Sequence, residues 1–209
     1  MSSVKGLRWE RRPEARPQEI LEAALRVFAE HGYRTTRLED VGEAAGVTKG
    51  TIYHYFANKE ELLLRAIEHY HEQAFGRLGE VLREATGPAS TRISQLVRRW
   101  FGAVTAERMA VRTLLLHGVA HEAPDAYQRW LAGGPTAASR ILADLVREGQ
   151  AGGEFRRDAD ADVAARVLFA GLLLQSVWQQ HGHDVPGLAI DEERLVNSAL
   201  ELFLHGLEP

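Results

Sequence analysis

The sequence of 209 residues contains no cysteine. This absence excludes disulfide bonds, thiol nucleophiles and cysteine-ligated zinc, and it favours a reducing compartment, so we predict a cytoplasmic protein. The longest apolar run, residues 167–174, is far shorter than the roughly 20 residues of a membrane-spanning helix. The charged N-terminus, residues 1–16, lacks the apolar stretch of a secretory signal. The sequence therefore predicts no contact with a membrane.

Lysine is also scarce, and all three lysines (Lys5, Lys49 and Lys59) fall between positions 1 and 60. This N-terminal part holds 10 basic and 9 acidic side chains, a net charge of +1. The remainder of the chain holds 15 basic and 20 acidic side chains, a net charge of -5. The two parts sum to the net charge of -4 for the whole chain. Codon bias toward arginine explains the scarcity of lysine but not its placement. A basic N-terminal part on an acidic remainder directs the search for a nucleic-acid site to the N-terminal part.

Apolar residues recur at helical spacing throughout, and no alternating run of β-branched residues indicates a strand. We therefore predict an all-α protein of nine or ten helices. Three parts are expected: a flexible basic arm (1–16), a three-helix head (17–60) and a helical body (61–209). One long helix, 58–86, is the only predicted connection between head and body. The predicted body helices span 89–106, 109–121, 124–132, a segment ending near Gln150, 159–182 and 191–207.

Residues 36–56 are typical of a helix-turn-helix motif, two short helices whose second member enters the DNA major groove. Thr36, with Glu39 at the capping-box position, is the predicted N-cap of the first helix, and Thr48 is that of the second. Gly46 allows the left-handed backbone of the turn. The second helix is rich in polar side chains that would be costly to bury. A solvent-exposed surface helix with a generic turn is the alternative interpretation.

Residues 17–67 resemble the tetracycline-repressor (TetR) family of transcriptional regulators. The resemblance rests on Phe28, Gly32, Thr36, Ala44–Val47, Gly50–Tyr53, Phe56 and Lys59–Leu62 in this order and spacing. Gly42 departs from it, because the family usually has alanine there. The resemblance implies phosphate contacts from Thr36, Thr48, Tyr53, Tyr55 and Lys59. It implies base contacts from Lys49, Gly50, Thr51 and His54.

The resemblance also implies a ligand cavity in the body, although a packed core is the favoured explanation for each body aromatic taken alone. The predicted ligand-binding residues are Trp100, Phe101, Leu114, His117, His121, Phe169, Gln175 and Trp178. His117 and His121 share a helix face, but nothing completes a metal site, so no metal or cofactor is predicted.

The last two helices are apolar on more than one face, which indicates burial on several sides. A dimer interface in the form of a four-helix bundle is one explanation, and a central core helix is the other for residues 163–178. The predicted interface residues are Val163, Val167, Leu195, Ala199 and Phe203.

Together these features predict a homodimeric DNA-binding regulator, a repressor that leaves a palindromic operator when a small lipophilic ligand binds the body. A constitutive helix-turn-helix DNA binder without an effector is the alternative. An enzyme is disfavoured, because the sequence has no nucleophile elbow, phosphate-binding loop or metal triad.

Overall fold

The computed structural model describes residues 16–101, 111, 113–114, 119–181 and 190–209. Across these ranges the chain forms helices and turns without any strand, so the predicted all-α class is confirmed. None of the described helices is long and apolar enough to cross a membrane. The predicted arm, residues 1–16, lies outside the described residues except for its last position. The helices are α1 (Arg16–His31), α2 (Leu38–Ala45), α3 (Lys49–Tyr55), α4 (Lys59–Glu84), α5 (Ala89–Phe101), α6 (Val119–Glu122), α7 (Pro124–Leu131), α8 (Ala137–Ala151), α9 (Ala161–His181) and α10 (Glu192–His205), with a π-helical turn at Ala132–Thr136.

The head is built on α1, which packs against α2 and against the N-terminal half of α4. Ile20, Ala24 and Phe28 lie at i, i+4 and i+8 on one face of α1, and all three are fully buried. Val41 of α2 and Ile52 of α3 complete this core and are also fully buried. Because burying each large apolar side chain contributes about 1.5–3 kcal/mol, these contacts hold three short helices that would not be stable alone.

The predicted N-cap Thr48 is confirmed by its capping bond, and the long helix predicted from residue 58 also begins with such a bond. The Thr48 hydroxyl oxygen accepts a hydrogen bond from the Thr51 N–H at 3.2 Å at the start of α3. The Asn58 side-chain oxygen accepts from the Glu61 N–H at 2.8 Å at the start of α4. Each bond satisfies a backbone donor that has no partner within its helix.

The predicted cap of α2 is wrong by one residue. The N-cap is Arg37, whose backbone N–H donates to the Asp40 carboxylate at 2.7 Å, so Asp40 and not Glu39 takes the reciprocal position. Thr36 is instead only 2% exposed, and its hydroxyl donates to the Gly32 carbonyl at 2.7 Å. The buried environment of Thr36 therefore decides where α2 begins, and it leaves the Glu39 side chain available for other contacts.

The body is a bundle in which α9 packs along α8 and α10 packs on both α9 and α5. Glu154, in the turn after α8, fastens the start of α5 by accepting the backbone N–H groups of Ala89 and Ser90 at 2.7 and 2.9 Å. A carboxylate at this position also opposes the positive end of the helix dipole. These bonds join two parts of the bundle that are distant in sequence, since positions 89 and 154 are 65 apart.

The helix predicted over 124–132 does not end before Gly133 and Gly134, so this predicted helix end is wrong. The chain continues from α7 through the π-helical turn into α8, with Pro135 inside the turn. A Cβ atom at Gly133 would lie 2.6 Å from Nδ1 of His71, and one at Gly134 would lie 2.7 Å from Nε2. The two glycines therefore serve close packing of the α4 histidine ring rather than chain termination.

His71 should make the stability of the protein depend on pH in mildly acidic solution. Burial lowers the pKa of His71 to about 4, and Glu68 acts in the opposite direction. Because an unfolded histidine titrates near 6.5, lowering the pH from about 6.5 to 4 favours the unfolded state, by at most about 1.4 kcal/mol per pH unit. Urea unfolding of the wild type and of His71→Gln across this range measures the effect. Parallel pH profiles for the two proteins would contradict it.

Candidate nucleic-acid interface

Two glycines fix the angle between α2 and α3. Gly46 ends α2 with a left-handed backbone, φ +63°. A Cβ atom at Gly42 would lie 2.8 Å from the Val47 carbonyl oxygen, and the Val47 N–H donates to the Gly42 carbonyl at 2.8 Å. Gly42, the departure from the family pattern, therefore lets the turn fold tightly against α2.

Buried Ile52 anchors α3, and the side chains around it are exposed or half-buried, with Tyr55 also packing against the core. We call residues 48–55, apart from Ile52, the recognition surface. Its members are exposed or half-buried, and they are Thr48, Lys49, Gly50, Thr51, Tyr53, His54 and Tyr55. The hydroxyls of Thr48 and Thr51 lie 3.0 Å apart, and the rings of His54 and Tyr55 meet edge to face at 5.0 Å. Seven of the nine predicted DNA-binding residues are thus brought together, six of them in α3 and Thr48 at its N-cap.

Lys49 is joined on this surface by a carboxylate that was not among the predicted site residues. Its Nζ lies 2.6 Å from Oε1 of Glu39 in the first turn of α2, and 5.7 Å from the centre of the Tyr53 ring. The hydrogen bond from Lys49 lowers the pKa of Glu39, and the same bond raises the pKa of Lys49. Both groups therefore stay charged at neutral pH. Glu39 and Lys49 are ten positions apart, and this spacing does not predict a contact. They meet because the turn brings the starts of α2 and α3 together.

The other two predicted phosphate contacts, Thr36 and Lys59, are engaged inside the head. The buried Thr36 hydroxyl faces a backbone carbonyl and not solvent. The Lys59 ammonium donates to the carbonyls of Tyr33, Arg34 and Thr36 at 2.7, 3.2 and 3.0 Å, and burial lowers its pKa. These bonds use all three N–H donors of the lysine. We therefore remove Thr36 and Lys59 from the predicted interface.

The long helix α4 is not the only connection between head and body, which corrects the sequence-based expectation. The Glu122 carboxylate, at the end of α6 in the body, accepts the backbone N–H of Arg34 at 3.0 Å. Arg34 belongs to the α1–α2 loop (residues 32–37), the segment that Lys59 also binds. Residues 34 and 122 are 88 positions apart, so no local sequence signal marks this joint.

Three of the predicted ligand-binding aromatics form one cluster in the body. The Trp100 and Phe169 ring centres are 4.9 Å apart, and Phe101 lies about equally far from both, at 6.1 and 6.0 Å. Phe101 and Phe169 are buried, whereas Trp100 is half-buried. This cluster joins α5 to α9. Leu114 is also buried and Gln175 is half-buried, and His117 lies outside the described residues.

Trp178 and His121, two further predicted ligand-binding residues, are exposed rather than buried in the body. Trp178 is 46% exposed. It lies one turn after the exposed Leu174, on the side of α9 that faces away from the core. His121 is exposed beside Glu122 at the end of α6. In the described ranges, no three histidine or carboxylate side chains come together as a metal site would require.

The predicted dimer residues divide into two groups. Val163 and Val167 are exposed, Val167 by 68%, and they form the outer stripe of α9 together with Leu174 and Trp178. Leu195, Ala199 and Phe203 of α10 are half-buried and pack against the core. Leu202, which was not among the predicted residues, is 76% exposed and lies on the same side of α10 as Leu195 and Ala199, at i, i+4 and i+7.

Comparison with known proteins supports the assignment of the head and extends it to the whole chain. The family model for "Bacterial regulatory proteins, tetR family" matches residues 20–66. The transcriptional regulator AcuR of Cereibacter sphaeroides is 34% identical over 162 residues, which cover 74% of this chain and 71% of AcuR. The chain belongs to the tetR family. The predicted family and the prediction of a regulator rather than an enzyme are thus confirmed.

Two further transcriptional regulators match over nearly their full length. The repressor KstR2 of Mycolicibacterium smegmatis is 26% identical, and the alignment covers 93% of this chain and 92% of KstR2. The crystal structure of FadR from Bacillus subtilis in complex with stearoyl-CoA has a TM-score of 0.71 and 27% identity over 91% of this chain and 99% of that one. This tetR-family protein is therefore a DNA-binding transcriptional regulator.

Proposed function

We propose that this tetR-family regulator is a homodimeric repressor that leaves a palindromic operator when a lipophilic effector binds its body. The observation that carries the proposal is the pairing of two exposed surfaces on one chain. The recognition surface on α3 is polar and suited to DNA, whereas the outer stripe of α9 is apolar and suited to a second copy. We place the protein in the cytoplasm with its DNA.

The dimer proposal rests on the two opposite apolar faces of α9. Ala165, Leu168 and Leu172 face the body core and are buried. Val163 and Val167 lie on the opposite face, and this outer stripe continues to Trp178, about 22 Å along the helix. Monomeric proteins rarely leave such a continuous apolar stripe exposed. A second copy packing its α9 and α10 against this stripe would bury it in a four-helix bundle.

A palindromic operator follows from this symmetry. One helix-turn-helix makes few base contacts, and a two-fold dimer presents two copies of α3 to two half-sites about one helical turn, or a multiple of it, apart. Binding both half-sites fixes the distance between the two recognition surfaces. Any movement that changes this distance weakens both contacts together.

The effector proposal rests on the aromatic cluster of Trp100, Phe101 and Phe169 and on the relatives. Apolar and aromatic walls with few polar groups are typical of sites for lipophilic ligands. FadR, a relative with a similar fold, binds stearoyl-CoA. We therefore propose a long-chain acyl group, presented as its coenzyme A thioester, as the effector class.

The route from effector to DNA would use α4 and the joint between Glu122 and Arg34. An acyl group inserted beside α5 and α9 would displace neighbouring helices of the body. Because Glu122 binds the same α1–α2 loop that Lys59 fastens, such a movement reaches the head as well as the long helix. The effector then shifts the protein toward the state in which the two recognition surfaces are wrongly spaced for the operator. The size of this shift is set by the difference between the effector's affinities for that state and for the DNA-binding state.

Stearoyl-CoA should lower the affinity of the protein for its palindromic operator by about 5- to 150-fold, the usual range of allosteric coupling. By linkage, the operator should lower the affinity for stearoyl-CoA by the same factor. Fluorescence anisotropy with labelled operator, and calorimetric titration with and without operator, measure the two factors. Free coenzyme A and stearate serve as controls for the two parts of the ligand.

Unequal factors would show that the four states measured do not form one closed cycle, for example because the ligand also changes the oligomeric state of the protein. Binding of stearoyl-CoA without any change in operator affinity would favour the alternative, a constitutive DNA binder. A full operator bound no more tightly than one half-site would contradict the dimer itself.

A further inference from the structure

The carboxylate of Glu39 occupies an unexpected place for an acidic group. It lies 2.6 Å from Lys49, at the edge of the recognition surface, with 56% of its side chain exposed. DNA carries a dense line of phosphate charges that repel a carboxylate. An exposed ion pair adds little to folding stability, so stability does not account for this one.

We propose that Glu39 and Lys49 together recognise one G·C base pair in the major groove, with Lys49 on guanine and Glu39 on cytosine. The proposal rests on the proposed operator binding by the recognition surface. Guanine presents two acceptors in the major groove, O6 and N7, and cytosine presents one donor, its N4 amino group. The ammonium of Lys49 only donates, and the carboxylate of Glu39 only accepts.

The spacing of the two charged groups matches the spacing of these base atoms. Guanine O6 and cytosine N4 are joined by an N–H···O hydrogen bond, so they lie about 2.9 Å apart. Nζ of Lys49 and Oε1 of Glu39 lie 2.6 Å apart. The two side chains can therefore approach one base pair side by side, without first separating from each other.

The charges also select the orientation and type of the base pair. In the reversed pair, guanine O6 would face the carboxylate and the cytosine amino group would face the ammonium, so both contacts become repulsive. An A·T pair offers a donor to Glu39 but only the single O4 acceptor of thymine to Lys49, beside the thymine methyl group. G·C in one orientation is the only pair that satisfies both side chains fully.

The head holds the pair in a defined position. Lys49 is the first residue of α3, and Glu39 lies in the first turn of α2. The tight turn at Gly42 and Gly46 sets the separation of these two helix starts. The centre of the Tyr53 ring lies 5.7 Å from Nζ of Lys49, so the ring flanks the lysine side chain.

Glu39→Gln provides the test, because it removes the charge, keeps one acceptor and adds a donor. Affinities of the dimer are measured for a set of operators that carry each of the four base pairs at every half-site position. In the wild type, we expect one position at which G·C is preferred by about 5- to 150-fold, the range of a good contact to a base pair. In Glu39→Gln, the preference at this position should fall severalfold without disappearing, because the amide tolerates both donors and acceptors whereas Lys49 still favours guanine.

Glu39→Gln should also bind non-cognate DNA more tightly, because a negative charge near the phosphates is gone. Glu30→Gln, which neutralises an exposed carboxylate of α1, is the matched control and should leave the preference intact. A double-mutant cycle with Lys49→Met should show that the two substitutions are not additive at this position only.

A G·C preference of unchanged size at this position in Glu39→Gln would overturn the proposal. If the wild type itself fails to prefer any operator over random DNA, the proposed function fails instead. Loss of preference at several positions at once would also contradict it, because one side-chain pair recognises one base pair.

Discussion

Val167→Asp should convert the protein into a folded monomer and weaken its binding to the palindromic operator about 100-fold or more. In the single chain Val167 is 68% exposed on α9, so an aspartate there leaves the body core intact. In the proposed dimer, the two-fold symmetric interface would bury one unpaired carboxylate from each copy. Burying these charges costs several kcal/mol. Linked half-sites gain about 10²- to 10⁴-fold in affinity over single ones, and the monomer loses this gain. Sedimentation velocity and operator anisotropy measure the two effects.

Gln128→Asp, which places the same charge on an exposed position of α7, is the matched control and should remain dimeric. A dimeric Val167→Asp protein would show that the outer stripe of α9 is not the interface.

Two neighbouring residues of α10 provide a second test of the interface. Leu202→Asp should disperse the dimer as Val167→Asp does, since Leu202 is 76% exposed. Phe203→Asp, at a half-buried position against the core, should instead lower the free energy of unfolding.

Lys59→Met should destabilise the protein by about 3 kcal/mol, the value of one to two hydrogen bonds from a charged donor. The ammonium joins α4 to the α1–α2 loop through three carbonyls, and its Nζ lies 4.5 Å from the centre of the Tyr33 ring. Methionine keeps the length of the side chain but leaves those carbonyls without this donor. Because the lysine is engaged within the head, the salt dependence of operator binding should stay the same. Thermal unfolding and operator affinity at several salt concentrations check both expectations.

His54→Ala is the matched control for Lys59→Met. His54 is exposed on the recognition surface, so its loss should relax the preference at one base pair without lowering stability. A Lys59→Met protein of normal stability, with a log–log salt slope flatter by about one unit, would return Lys59 to the phosphate-binding residues.

Much of the fold follows from local sequence. The apolar period of α1, the capping residues Thr48 and Asn58 and the left-handed Gly46 each act within a few residues. Because their effect is short-ranged, helix types and most helix ends were predictable. The cluster of polar side chains on α3 was predictable for the same reason, since one buried residue of that short helix orients all the others.

Tertiary structure decided the partners of side chains whose contacts are distant in sequence. Thr36 and Lys59 matched a phosphate-binding pattern, but the packing of the α1–α2 loop turned both inward. Trp178 was predicted to bind a ligand because it is a large apolar residue. Its angular position on the packed α9 places it in the outer stripe instead. The sequence by itself determined which segments are helical and which face of each is apolar, because these depend on neighbours within one or two turns. Which groups meet between helices, as Glu122 meets Arg34 and Glu39 meets Lys49, depended on helix packing, which no local pattern encodes.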